Sequence, residues 1–183
     1  MAGGEPSPRW GFHRLTDRWA DRLVAAAGVR PGELVVDIGA GHGAVAAALV
    51  AAGARVIAVE LHPSRVRMLR ERFADDPVRV VRADAADLRL PQRPFRVVAN
   101  PPYGATMAVV RRLLAPQSTL YAADLVLPRG YVRRIQDGSL ARRWAVTRGL
   151  TMPRGAFRPA APRDAVVLVV RRTSTRMARR RRQ

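Results

Sequence analysis

The chain has 183 residues, 33 basic and 14 acidic, so its formal net charge is +19 at neutral pH. With 48% apolar residues it can bury the core of one domain, which excludes the low-hydrophobicity, high-charge compositions that stay disordered. Cysteine is absent, which excludes a disulfide framework, a thiolate zinc site and a thiol nucleophile.

The apolar run Gly43–Ala54 is too short to span a bilayer, and the opening MAGGEPSPR has no signal-peptide pattern, so the expected compartment is the cytoplasm. Every basic residue is Arg and none is Lys. GC-rich coding accounts for that choice but not for the net charge, since acids were equally available. A field this positive points to a polyanionic partner, nucleic acid first and an anionic membrane surface as the alternative.

In chain order, residues 1–9 read as a flexible arm and 10–172 as one catalytic domain. Thr16 or Asp17 caps a predicted helix to Ala27, with Trp19, Leu23 and Ala26 on its buried face. Leu34–Ile38 is a predicted strand leading into a Gly-rich turn and a helix over Ala44–Ala52. Val56–Val59 is the next strand. A helix starts at Pro63, with Val66, Leu69 and Phe73 inward and Arg65, Arg67, Arg70 and Arg72 toward water. Strands follow at Val78–Val81 and Phe95–Ala99, then a helix over 105–115 and a strand at Leu120–Leu127. Trp144–Met152 and Ala165–Val170 read as two further strands without a comparable helix between them. Residues 173–183 form a basic tail; from Arg171 to Gln183 there are seven Arg and no acid.

Alternating strands and helices with continuous apolar strands predict an α/β fold. The expectation is a Rossmann-like, doubly wound, mostly parallel seven-stranded sheet closed by an antiparallel edge pair.

The first strand runs into Asp37-Ile38-Gly39-Ala40-Gly41-His42-Gly43. Glycines there allow a tight turn and let a ligand approach the main chain; Gly39 and Gly41 are the expected contacts. Glu60 ends the next strand and can accept from ribose hydroxyls. Dinucleotide sites usually read G-x-G-x-x-G, whereas the spacing here is G-x-G-x-G with Asp37 just before it. An acid so placed suits an amine-bearing cation such as S-adenosylmethionine better than a pyrophosphate. Asp84, after the third strand, can accept from an adenine amino group. His13, His42 and His62 have no metal-ligand spacing, and no metal is expected.

The fourth strand ends in Ala99-Asn100-Pro101-Pro102-Tyr103. The Asn100 amide oxygen and the Pro101 carbonyl can both accept from an exocyclic amine. The prolines stiffen the turn, and Tyr103 offers a flat face to a base. Asn100 lies beside the cofactor edge and is a candidate on both sides, with more contact expected to the base.

Together Leu15-Thr16-Asp17, Asp37–Gly41, Val59-Glu60, Ala83-Asp84, Asn100–Tyr103 and Phe157-Arg158-Pro159 resemble, in order, the Erm family of ribosomal RNA adenine N6-methyltransferases and its small-subunit dimethyltransferase relatives. The resemblance covers about residues 10–170. It is nearest to the short, mycobacterial-type Erm proteins, through Trp10-Gly11-x-His13-Arg14-Leu15. It implies S-adenosylmethionine as cofactor and 23S ribosomal RNA, at the drug-binding loop, as partner. The implied outcome is resistance to macrolide, lincosamide and streptogramin B antibiotics.

By the same resemblance His13 and Leu15 would line the methionine end of the cofactor, and Phe157 would pack near the target base. The chain departs from the family where His13 replaces an Asn and where Arg163-Asp164-Ala165 replaces Val-Asp-Ser. On the resemblance, the sequence is expected to stop where many relatives continue into a helical RNA-binding domain. The basic face, with Arg111, Arg112, Arg133, Arg134, Arg142, Arg143 and the tail, is therefore expected to carry RNA affinity. No membrane or protein partner is implied. An adenine N6 DNA methyltransferase, which could share N-P-P-Y, and a non-catalytic RNA-binding assembly factor are the alternative classes.

Overall fold

The structure, a computed structural model, describes residues 13–136 and 144–173. The predicted arm at 1–9, the Trp10-Gly11-Phe12 opening, Arg142, Arg143 and the tail beyond Thr173 lie outside the described residues.

Each short apolar run becomes a strand, because a strand covered on both faces needs apolar side chains in both directions. The elements are β1 (Arg14–Leu15), α1 (Asp17–Ala27), β2 (Leu34–Ile38), α2 (Ala44–Ala51), β3 (Arg55–Glu60), α3 (Pro63–Arg72), β4 (Val78–Arg82) and β5 (Phe95–Ala99). They continue with α4 (Thr106–Leu113), β6 (Leu120–Pro128), α5 (Arg129–Gln136), β7 (Trp144–Met152), β8 (Phe157–Arg158) and β9 (Ala165–Arg172). Among the described residues the main sheet has seven strands in the order β4-β3-β2-β5-β6-β9-β7. β4 through β6 are parallel; β9 runs antiparallel between β6 and β7. The expected doubly wound sheet and its antiparallel edge pair are both present.

Side chains of successive strand residues point to opposite faces, and this divides the core in two. Val35, Val56, Ala58 and Val98 pack with α1, α2, Leu69 and Phe73. Val36, Ile38, Val97 and Ala99 pack with α4, α5 and Trp144. The buried stripe of α1 is Ala20, Leu23, Val24 and Ala27. This corrects the predicted Trp19-Leu23-Ala26 face: Ala26 is exposed and Trp19 only half-buried, with the Arg22 guanidinium 4.1 Å from its ring centroid.

Three elements escape the sequence reading. α5 has only three apolar residues in eight and a Gly at its second position, too little for a helical period to register. β1 and β8 are two residues each, and their pairing joins positions 142 apart at Leu15↔Phe157. The Thr16 N–H donates to the Ala156 carbonyl at 2.9 Å and continues that union. The N-terminal segment is thereby tied across the protein to the loop after β7.

Arg96, on β5, is buried among acids. Its guanidinium donates to Glu33 at 3.1 Å and to the Ala27 carbonyl at 2.8 Å, and lies 3.6 Å from Asp124. Asp124 also meets Arg171 at 2.9 Å; burial raises its pKa against the opposing pull of Arg171 and Arg96. Removing one member of a buried ionic cluster strands its partners. Arg96→Met is expected to lower stability by about 3 kcal/mol, read as a lower urea midpoint with an unchanged denaturant slope.

Candidate active site

The strand order reverses direction at β2 and β5, the first and fourth strands of the parallel set. Loops leaving these two carboxyl ends diverge and leave a crevice, the usual ligand position in such sheets. A cleft of about 800 Å³ opens there, lined by residues that follow β2, β3, β4 and β5. It brings together His13, Gly39, Glu60, Asp84, Asn100, Pro101 and Tyr103 of the predicted set.

Gly39 has φ +78°, and a Cβ on it would stand 2.8 Å from Pro102 Cδ. The glycine turn and the proline turn therefore touch, and only a residue without a side chain fits between them. The Gly39 and Ala40 N–H groups both donate to the Val59 carbonyl at 2.9 Å, which seats the turn on β3.

Glu60 is buried at the floor of the cleft. One oxygen accepts from Gly41 N–H at 2.9 Å, and the other from Leu61 and His62 N–H at 3.0 and 2.9 Å. An ionised carboxylate has about four lone-pair sites, so about one stays open to a hydroxyl. Gly41 is thus held by Glu60 and does not itself line the cleft. Asp84 accepts from Ala86 N–H at 2.8 Å through one oxygen, which turns the chain after β4 and leaves its second oxygen available.

Asn100 donates its amide N–H to the His13 carbonyl at 2.9 Å. That bond fixes the amide orientation and leaves Oδ1, buried and without a partner, as an acceptor. A buried acceptor with no partner is costly unless a ligand satisfies it. The His13 ring meets the Pro159 carbonyl at 3.2 Å and lies 6.2 Å from the Tyr103 ring, tilted by 36°. Burial pushes the Tyr103 phenol upward, so the hydroxyl stays neutral at physiological pH.

Besides Gly41, three predicted residues do not reach the cleft. Asp37 shares the face of β2 that carries Val35, beneath α2, so it cannot meet a ligand at the strand ends. It is 1% exposed and takes an N–H from Ala46 in α2. Burial first, then the neighbouring Glu60 charge, push its pKa up to about 8. Leu15 and Phe157 are buried opposite each other in the β1–β8 pair and support the cleft from behind.

Conversely, Leu61, Arg65 and Arg82 line the cleft without having been anticipated. Leu61 is the one large apolar side chain exposed among the described residues, at 41%. Its position directly after Glu60 was the available signal. Arg65 lies 3.7 Å from Glu60 and so departs from the expected solvent-facing row. Arg112 is also reassigned: it donates to the Ala86 and Leu88 carbonyls and to Asp87, bracing the loop that presents Asp84. Arg111, Arg133 and Arg134 are exposed, as expected of a basic face.

The donor set fits an adenosine-bearing cation. Two carboxylates with free acceptor capacity stand at adjacent strand ends, an apolar wall lies beside them, and a side-chain-free turn admits a ligand against the backbone. The orphaned Asn100 oxygen adds an acceptor next to that position.

The ribosomal RNA adenine dimethylase profile matches residues 7–176. A "Probable ribosomal RNA small subunit methyltransferase A" of Methanosarcina mazei is 32% identical over 169 residues, covering 85% of this chain and 61% of that protein. An "rRNA methyltransferase" of Streptomyces thermotolerans is 34% identical over 175 residues, covering 88% and 58%. The chain thus spans about three-fifths of the length of these relatives. The crystal structure of the 23S rRNA methyltransferase ErmE superposes with a TM-score of 0.78 at 27% identity, covering 88% of this chain and 70% of that one.

Asp37 makes a pH signature measurable. Its folded pKa lies above the ordinary 3.8, so its contribution to stability is complete below about pH 4 and is lost as pH rises through about 8. Asp37→Asn cannot titrate. The stability difference, wild type minus variant, is expected to fall steadily across that window in urea unfolding at stepped pH; a constant difference would count against the raised pKa.

Proposed function

The chain belongs to the ribosomal RNA adenine dimethylase family, and on that premise we propose that it methylates N6 of an adenine in ribosomal RNA with S-adenosylmethionine as donor. The observation that carries this reading is the unpartnered Asn100 Oδ1 at the cofactor edge of the cleft. Within it, Glu60 would hold the ribose, Asp84 the adenine amino group, and Leu61 would cover the adenine face. Gly39 and its neighbours would lie beneath the methionine end. Bound there, the cofactor supplies a methyl group on a sulfonium, already a good leaving group.

The slow partner is adenine N6, whose lone pair is delocalised into the ring. Asn100 Oδ1 and the Pro101 carbonyl would accept hydrogen bonds from its two N–H groups and draw those hydrogens out of the ring plane, which returns the lone pair to nitrogen. The His13 carbonyl acts one step back, since its bond to Asn100 Nδ2 keeps Oδ1 in place. Tyr103 stacks on the extruded base and offsets part of the unstacking cost. Positioning supplies most of the rate, and no general base is needed before attack. The methylated amine loses its extra proton to water.

We assign the substrate to 23S RNA at the drug-binding loop. The fold match to ErmE and the Trp10–Leu15 opening support this assignment. Small-subunit RNA is the second reading, favoured by relatives such as the Methanosarcina mazei protein. Primer extension and mass spectrometry across both RNAs, from cells expressing the protein, distinguish them. The expected result is one modified adenine in 23S RNA, with raised macrolide and lincosamide resistance. Modification confined to 16S RNA, with unchanged susceptibility, would establish the second reading.

Asn100→Ala is expected to abolish transfer, by at least a hundredfold in kcat, while calorimetry shows cofactor affinity within about twofold of wild type. Glu60→Ala is expected to do the opposite and weaken cofactor binding first. It also melts earlier, because three backbone N–H groups lose their acceptor.

A further inference from the structure

A second cavity, of about 600 Å³, opens where β6 ends and β9 begins. It is lined by Arg129, Tyr131 and Arg134 of α5 and by Arg163 and Asp164 of the loop before β9. None of the reaction above uses it. Arg163 belongs to the turn whose sequence departs from the family pattern, and α5 is the helix that the sequence pattern does not reveal.

The cavity is electropositive by construction. Its single acid, Asp164, is already engaged: one oxygen accepts from Arg154 N–H at 3.0 Å, and the other lies 4.0 Å from Arg129. Arg134 and Arg163 have no carboxylate partner among the described residues, so two guanidinium groups from separate segments face one space without a counter-charge. Tyr131 is half-buried, its ring packed against the core beneath α5. An aromatic side chain sharing a cavity with guanidinium groups that lack a carboxylate partner is a combination that holds a nucleotide, with phosphate on the cations and the base on the ring.

Position supports the same occupant. Leu125 of β6 pairs with Ala99, the residue before Asn100. Pro128, on the cavity wall, lies three residues further toward the same carboxyl edge, about 10 Å at strand spacing. Both cavities therefore lie along one rim of the sheet, close enough for one RNA strand to enter both.

We propose that the Arg129–Tyr131–Arg134–Arg163 cavity is an RNA subsite that holds a nucleotide flanking the target adenine, its phosphate on Arg134 and Arg163 and its base on Tyr131. The proposal rests on the RNA-methylating reading above and adds where the strand is gripped. It places a built contact beside the target adenine, where general surface charge would give only diffuse attraction.

The test compares Arg134→Ala, Arg163→Ala and Tyr131→Leu with Arg79→Ala, which removes the same charge from an exposed position on β4 at the far edge of the sheet. The probes are deproteinised 23S and 16S ribosomal RNA, in filter binding at several salt concentrations. Each of the two cavity Arg variants is expected to weaken binding about tenfold. Each should also flatten the log–log salt slope by about 0.7, beyond any change in Arg79→Ala. Tyr131→Leu is expected to weaken binding with the slope unchanged, since stacking releases no counterions. In methyl transfer the three variants should raise KM for RNA with kcat and cofactor affinity preserved. Cavity variants that match Arg79→Ala in affinity and slope would overturn the proposal and leave only diffuse charge. A wild-type protein that binds RNA but transfers no methyl would refute the catalytic reading alone, because the binding arm reads the subsite independently.

Discussion

The site depends on one close packing: the glycine turn after β2 lies against the proline turn after β5. At Gly39 there is no room for a methyl group, since Pro102 Cδ occupies the place that a Cβ would take. Two loops that ordinarily diverge at a switch point are therefore held in contact at their bases. In the proposed function the first turn would carry the backbone that the cofactor approaches, and the second the acceptors for the base. Their contact would then set the distance between donor methyl and acceptor nitrogen, the quantity on which a positioning mechanism most depends.

Two polar residues lock this arrangement from either side. Glu60 gathers three backbone N–H groups, one from the glycine turn and two from the start of α3, and so spends most of its acceptor capacity on structure. Asn100 gives its N–H to the His13 carbonyl and keeps its oxygen for a ligand. Asn100 thus divides its two amide atoms between structure and a free acceptor, whereas both oxygens of Glu60 carry structural bonds. His13 directly precedes β1, and β1 is fastened to β8, so the two-residue sheet helps to hold the His13 carbonyl against Asn100. Leu15 and Phe157, which do not touch the cleft, hold that fastening closed.

The charge of the chain divides in the same way. Arg96 and Arg171 hold buried acids, Arg112 braces the Asp84 loop, and Arg65 turns toward Glu60. These residues count toward the formal +19 but are not all available to a polyanion. Arg134 and Arg163, with no carboxylate partner among the described residues, belong to the other class. A net charge states that a partner is favoured; only the pairing of individual guanidinium groups shows where it can be gripped.

The sequence alone settled the parallel sheet, because strands buried on both faces are mostly continuous apolar runs, and a run such as Val56–Val59 has few other solutions. It also determined Gly39, Glu60, Asp84 and the Asn100–Tyr103 turn as neighbours, because in this topology strand carboxyl ends converge on one edge. It could not decide which way Asp37 faces. The residue stands one position before the strand end, and the period of two sends it under α2 instead of toward the cleft. Nor could it join Leu15 to Phe157 or Arg163 to α5, since those contacts link short segments far apart in the chain with no periodicity of their own. Such pairings arise only when the sheet has closed and brought its loops together, so they belong to the tertiary structure.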